Sequence, residues 1–278
     1  MSKSEEIVPK LEKQKISALL SKGERLDGRK LYEYRPITIE TDYIKKAEGS
    51  AIVKLGNTIS IAGVKAEIGT PFSDTPNEGV LIVNTEFLPL ASPTFEPGPP
   101  DENAIEIARI IDRGLRSSDA LDRRRLAIIP GKRVWVIYVD VYVLNHDGNM
   151  IDASGIAVLS ALLTTKIPVV KIVNDEIEIS DEWVPLPMKD RPIPVTMAKI
   201  EDKILVDPNI REESVMDYRL TLTINEAENI CAIQKGGGGG LSIDDLHQAI
   251  DIAIKASREI RKALPSIPDT QDIAYVVK

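Results

Sequence analysis

The chain has 278 residues, 43% of them apolar and 28% charged, a composition that folds around a sizeable core and excludes a disordered polymer. No run approaches the roughly 18 consecutive apolar residues of a spanning helix, and the charged N-terminus lacks an apolar leader core, so a soluble cytoplasmic protein with no membrane contact is expected. A net charge of −8 argues against coating nucleic acid with the whole surface, and 4% aromatics argue against base-stacking platforms, so any RNA contact should run mainly through phosphates.

Residues 4–22 place Ile7, Leu11, Ile16, Leu19 and Leu20 among charged neighbours at helical spacing, and Gly23 suits the end of that helix. The polar turn Arg25-Leu26-Asp27-Gly28-Arg29 leads into extended Pro36–Ile39. Gly49–Lys54 and Thr58–Glu67 read as strands joined at Gly56-Asn57, and Val80–Glu86 as another strand. Leu88–Pro100 is proline-rich and must be a loop. A helix follows from Asp101 or Glu102, with Ile107, Ile111 and Leu115 at spacing four. Arg133–Leu144 is the best central-strand candidate, Asp152–Thr165 a nearly buried helix, and Val169–Val173 a strand. The proline-rich stretch 181–194 is the one plausible linker. Beyond it Val195–Ile200, Lys203–Val206, Tyr218–Asn225 and Ile230–Gln234 read as strands. Five glycines at 236–240 then precede the helix Ser242–Leu264, with Ser242 as its cap. The expected fold class is α+β, in two halves that each set helices against a sheet: an N-terminal helix over 1–24, a first domain over 25–180, and a second over 195–278.

Four motifs in order resemble the RNase PH family, most closely its exosome branch. Arg25-Leu26-Asp27-Gly28-Arg29 with Tyr34-Arg35-Pro36 is similar to that family's opening "R-x-D-G-R…x-R-P". Gly49-Ser50-Ala51 with Gly56-Asn57-Thr58 is similar to its hairpin, Val139–Ala153 to its "V-L-x-x-D-G-G" stretch, and 236–240 to its glycine-rich turn. The resemblance runs from about residue 20 to 265. It implies an RNase PH-like fold within a six-domain ring around a pore. It also implies phosphorolysis, in which inorganic phosphate attacks the 3′-terminal linkage of RNA and releases a nucleoside diphosphate. In the archaeal exosome two related subunits alternate in that ring, and one of the two is catalytic.

Phosphorolysis needs a cationic cradle for phosphate and carboxylates placed for metal or proton work. Catalytic members carry Gly-[ST]-Arg after the "D-G", where this chain has Asp147-Gly148-Asn149-Met150-Ile151-Asp152. The arginine is missing, and Asp152 is expected to add a negative charge where phosphate would sit. The family's Arg-Arg pair before the mid-chain helix is replaced by the acidic, proline-rich Phe95–Asn103. Asp207 and Glu213 keep the family's carboxylate spacing and are expected as a remnant, or simply as acidic turn residues.

Arg109, Arg113 and Arg116 share a helical face opposite Ile107, Ile111 and Leu115. On the residues alone this is a solvated face partnered by Asp112 and Asp119. The resemblance turns it into an RNA contact, Arg113 and Arg116 first and Arg109 after them, since arginine forks suit phosphate oxygens. Arg123, Arg124 and Arg125 pair either within the chain or with a ring neighbour. The glycine run lacks the trailing Lys of a phosphate loop and is read as a turn, which sets aside a small-molecule kinase. Cys231, alone, forms no internal disulfide and is read as core, and His146 as a loop histidine beside the D-G turn. The resemblance therefore implies a non-catalytic ring subunit of an archaeal exosome, with no metal or cofactor of its own. Its partners would be a catalytic RNase PH-like homologue in a trimer of heterodimers, RNA-binding cap subunits, and RNA. The competing expectation is a self-sufficient phosphate-dependent 3′–5′ exoribonuclease.

Overall fold

The computed structural model describes residues 10–173, 176–270 and 276–277. In chain order the elements open with α1 (Lys10–Leu20), β1 (Ile37–Thr41), β2 (Gly49–Leu55), β3 (Thr58–Gly69), β4 (Val80–Phe87) and α2 (Glu102–Ser117). Then come β5 (Ala127–Ile129), β6 (Arg133–Asn145), α3 (Met150–Thr164), β7 (Lys166–Val173), β8 (Glu176–Pro185), β9 (Ile193–Ile200) and β10 (Lys203–Val206). The chain closes with α4 (Ile210–Glu213), β11 (Tyr218–Ile224), β12 (Ile230–Gly236), α5 (Ile243–Arg261) and β13 (Val276–Val277). The helix expected over 4–22 is seen from Lys10, its first residues lying outside the described ones.

The first sheet runs β1-β2-β3-β6-β4, with β5 paired to β6, and the second runs β10-β9-β11-β12. Strand β6, rich in valine and aromatic residues, is central as its composition requires. It pairs antiparallel with β3 and parallel with β4. A parallel pair needs a long crossover. The segment between β4 and β6 supplies it and lays α2 against β4.

Helix α3 is buried over Ile151–Leu163 without a break, because it has sheet on two sides: β2, β3 and β6 of the first sheet and β9 of the second. Gly155 permits the second contact, since a Cβ there would sit 2.5 Å from the Pro194 ring. One apolar core therefore runs from Val53 and Val64 through Ile156 and Leu159 to Val195 and Leu222. Burying each such side chain contributes about 1.5–3 kcal/mol. Helix α1 packs Ile16 and Leu20 against Ala198, Ile200 and Leu205, which fastens the N-terminal segment to the second sheet.

The expected linker 181–194 is not a free connector. Strand β8 continues through Pro185, β9 begins at Ile193, and β8 with β7 and β13 forms a third, three-stranded sheet. Proline is tolerated in β8 because Pro185 closes an edge strand, where no donor is required. No helix among the described residues is long and apolar enough to cross a membrane.

Candidate remnant site and arginine face

Asp207 follows β10 in a left-handed conformation (φ 48°), its backbone fixed by donation from its N–H to the Thr196 carbonyl at 3.0 Å. Its side chain is fully buried and already filled. One carboxylate oxygen accepts from Arg35 N, Arg35 Nε and Arg29 Nη1 at 2.9, 2.9 and 2.8 Å. The other accepts from Arg35 Nη2 at 2.7 Å and Asn149 Nδ2 at 2.8 Å. Burial pushes this carboxyl up, but the hydrogen bonds and charge of Arg35, with Asn149, outweigh it and hold Asp207 below the ordinary carboxylate range.

The arginines of the opening motif act as clamps rather than as a solvated turn. Arg25 meets buried Glu212 through two N–H···O bonds, and its Nη1 and Nη2 also bond the Val206 and Asp207 carbonyls at 2.8 Å each. Glu212 completes a capping box with Asn209 at the start of α4. Arg35 also donates to the carbonyls of Asp147 (2.7 Å) and Gly148 (3.1 Å), so it bridges the D-G turn to Asp207. Around these groups Arg29, Arg35, Asn57, Asp147, Asn209 and Arg211 line an open cavity of about 400 Å³. Its cations are paired internally, Arg29 with Asp27 and Asp207, Arg35 with Asp207, and Arg211 with Glu12.

The D-G turn sets the orientation of helix α3. Gly148 has φ 86°, and a Cβ there would lie 2.4 Å from the Asn209 carbonyl carbon. Asn149, also left-handed, caps α3 and donates its N–H to Glu213 Oε1 at 2.8 Å. The chain then turns inward. Ile151, in the segment where catalytic members of the resembled family carry arginine, is 2% exposed and packs in the core.

Asp152 overturns its expectation. It does not face a phosphate position but points into the interior, accepting from Thr196 N (3.0 Å), Thr196 Oγ1 (2.7 Å), Tyr34 Oη (2.8 Å) and Asn149 Nδ2 (2.9 Å). Burial raises its pKa to about 6 against the opposing pull of those donors. Glu213, half-buried, is raised by burial to about 7, although its bond from the Asn149 N–H opposes the rise.

Helix α2 starts at Asp101, whose carboxylate accepts the Ala104 N–H at 2.8 Å. Its three arginines differ in freedom. Arg109 is exposed and makes no hydrogen bond or ion pair among the described residues. Arg113 is exposed, with one long bond to Gln234 Oε1 at 3.3 Å. Arg116 is half-buried, its Nε shared between both Asp112 oxygens at 2.8 Å and its Nη2 on the Leu81 carbonyl. The acidic loop before α2 is held by Phe95, stacked on Phe87 at 4.6 Å and on His146 at 5.6 Å. His146 Nδ1 accepts the Gly148 N–H at 3.3 Å, so it ties this loop to the D-G turn, and burial lowers its pKa.

Arg123 pairs with Glu78 at 2.9 Å, Arg124 lies 3.7 Å from the same carboxylate, and Arg125 contacts Thr270, so partners for the triplet exist within the chain. The glycine run is a turn, pinned by donation from Gly239 N–H to the Asp217 carbonyl at 2.9 Å, and Ser242 caps α5. Cys231 is not core. It is half-buried on β12, one of the two edge strands of the second sheet.

Comparison with known proteins places this geometry. The 3′ exoribonuclease family models match as domain 1 over residues 33–168 and domain 2 over 190–256. A Thermococcus gammatolerans protein named exosome complex component Rrp42 is 53% identical over 93% of this chain and 96% of its own. Its counterpart of the same name from Methanopyrus kandleri is 47% identical over 93% of this chain and 97% of its own. A chain of the Archaeoglobus fulgidus exosome, solved with RNA bound to the active site, superposes with a TM-score of 0.84 at 43% identity, covering 91% of this chain and 97% of that one. With both domain models matched in order and relatives this similar along nearly their whole length, the chain belongs to the RNase PH, or 3′ exoribonuclease, family.

Proposed function

We propose that this chain is the non-catalytic ring subunit of an archaeal exosome, which structures the active site of a catalytic RNase PH-like partner and holds RNA during 3′-to-5′ phosphorolysis. The observation that carries the reading is Asp207. A carboxylate with five internal hydrogen bonds, from Arg35, Arg29 and Asn149, has no free face for a metal, a proton or a phosphate-bound water. The arginines beside it are engaged with the chain's own carboxylates, and Ile151, in the segment where the resemblance places the family's cradle, is buried in the core. The likeness to proteins named Rrp42 and to a solved archaeal exosome supports membership of an exosome; the proposed assembly is an alternating trimer of heterodimers with RNA-binding cap subunits, in the cytoplasm.

The RNA contact is assigned to the α2 face, with Arg113 and Arg109 presenting guanidinium groups to phosphates and Arg116 bracing the helix against β4. Arg109→Glu with Arg113→Glu in the reconstituted ring is expected to weaken oligo(A) binding and to lower the slope of log K against log salt by roughly 1.5. Measured by anisotropy across salt concentrations, an unchanged slope would return these residues to a solvated face.

A further inference from the structure

Strand β4 is an open edge of the first sheet, and a cleft of about 340 Å³ remains between it and α2. Phe72, from the β3–β4 loop, lines this cleft with 52% of its surface exposed, and Ile105 (49% exposed) and Val83 add apolar wall. Two polar groups of the lining lack a partner among the described residues. Thr85 is 2% exposed, and its hydroxyl oxygen is buried without a hydrogen bond. Arg109 carries a guanidinium with no ion pair. Arg116, in the same cleft, is neutralised by Asp112, so the charge the cleft offers is that of Arg109.

A buried hydroxyl without a partner is uncommon and asks for a ligand atom that can meet it. An unpaired guanidinium beside it asks for an anion. An exposed aromatic ring between apolar walls asks for a flat apolar face. One chemical unit has all three: a nucleotide, whose base stacks, whose base edge carries donors and acceptors, and whose phosphate is anionic. An apolar protein side chain would satisfy the walls and leave both polar groups unmet. We propose that the β4–α2 cleft is a nucleotide subsite, in which an RNA base stacks on Phe72, its edge reaches Thr85, and its phosphate meets Arg109. The proposal rests on the RNA-holding reading above and adds a base contact to a face otherwise read as binding phosphate alone.

The test compares short oligo(A) RNA with an abasic oligonucleotide of equal length and charge, on the purified full chain and on the reconstituted ring. Phe72→Ala is expected to weaken oligo(A) binding roughly tenfold while leaving abasic binding and the salt slope unchanged, with Phe72→Trp restoring affinity. Thr85→Val should weaken oligo(A) by a smaller factor and Thr85→Ser restore it. Unchanged oligo(A) affinity in Phe72→Ala overturns the proposal, as does equal weakening of both oligonucleotides. Loss of co-elution with the ring partner and no loss of RNA binding also overturns it, and identifies the cleft as a protein contact. If Arg109→Glu with Arg113→Glu still weakens both oligonucleotides, the phosphate reading survives the loss of the stacking one. If neither oligonucleotide binds at all, both fall.

Discussion

Arg35 and Asp207 stand 172 positions apart in sequence, and their contact determines what the remnant site can do. Nothing local in Tyr34-Arg35-Pro36 signals that the guanidinium will be buried against a carboxylate of the second half. The spacing of Asp207 and Glu213 was legible, but the occupation of Asp207 was not. Asp152 eludes the sequence for a related reason. The residues show a charge after a D-G turn, while the left-handed Asn149 that swings it inward depends on backbone geometry. Removing one partner of such a buried pair leaves an uncompensated charge. Arg35→Ala is therefore predicted to cost about 3–5 kcal/mol in urea unfolding, and Arg35→Lys to recover little of it because the paired contacts need a planar fork. Glu213 gives a pH signature. Its folded pKa, about 7, lies above its ordinary 4.5, so in that window the folded chain keeps a proton that the unfolded chain releases. Stability contributed by this group is present below pH 4.5 and lost as pH rises towards 7. Asp152 acts in the same direction between 3.8 and about 6. Glu213→Gln should flatten the decline by about 2 kcal/mol, allowing for partial exposure, when unfolding is compared at the two ends of the window. An unaltered decline would mean that Glu213 titrates as a surface carboxylate.

Elements with a strong periodic or capping signal were legible to within a few residues. Helix α2 has its acidic cap and its apolar spacing, β6 its β-branched run, and α3 its composition rich in Ala, Leu and Ser. Others were hidden by the strands they pair with. Strand β8 runs into the stretch where proline suggests a linker, because its one partner, β7, leaves it at the edge of the sheet, where Pro185 is tolerated. Cys231 reads as core because Ile230–Ile233 is apolar, but β12 ends its sheet and none of its residues is fully buried. Two substitutions test the local account. Asp101→Ala should cost about 1 kcal/mol of stability through loss of the α2 cap, without altering the fold by circular dichroism. Gly148→Ala should cost about 3 kcal/mol, combining left-handed strain with collision against the Asn209–Ile210 peptide. A near-neutral Gly148→Ala would show that the D-G turn has room to relax.

Across the whole molecule, α3 joins the two sheets into one core, and the arginine clamps tie the opening motif to the second half around that joint. In a fold built this way the Asp207 cluster is part of the structural joint. Family membership was legible because four motifs kept their order along the chain. The proposed non-catalytic role has a sharper basis in three dimensions: Ile151, after the D-G turn, is packed in the core, and the Asp207 carboxylate is paired with the chain's own arginines. The most direct test is nucleoside diphosphate release from poly(A) in the presence of inorganic phosphate. No release is expected from the purified chain, and release is expected once it is assembled with a homologue that retains the missing arginines. Robust release by this chain alone would contradict the non-catalytic role.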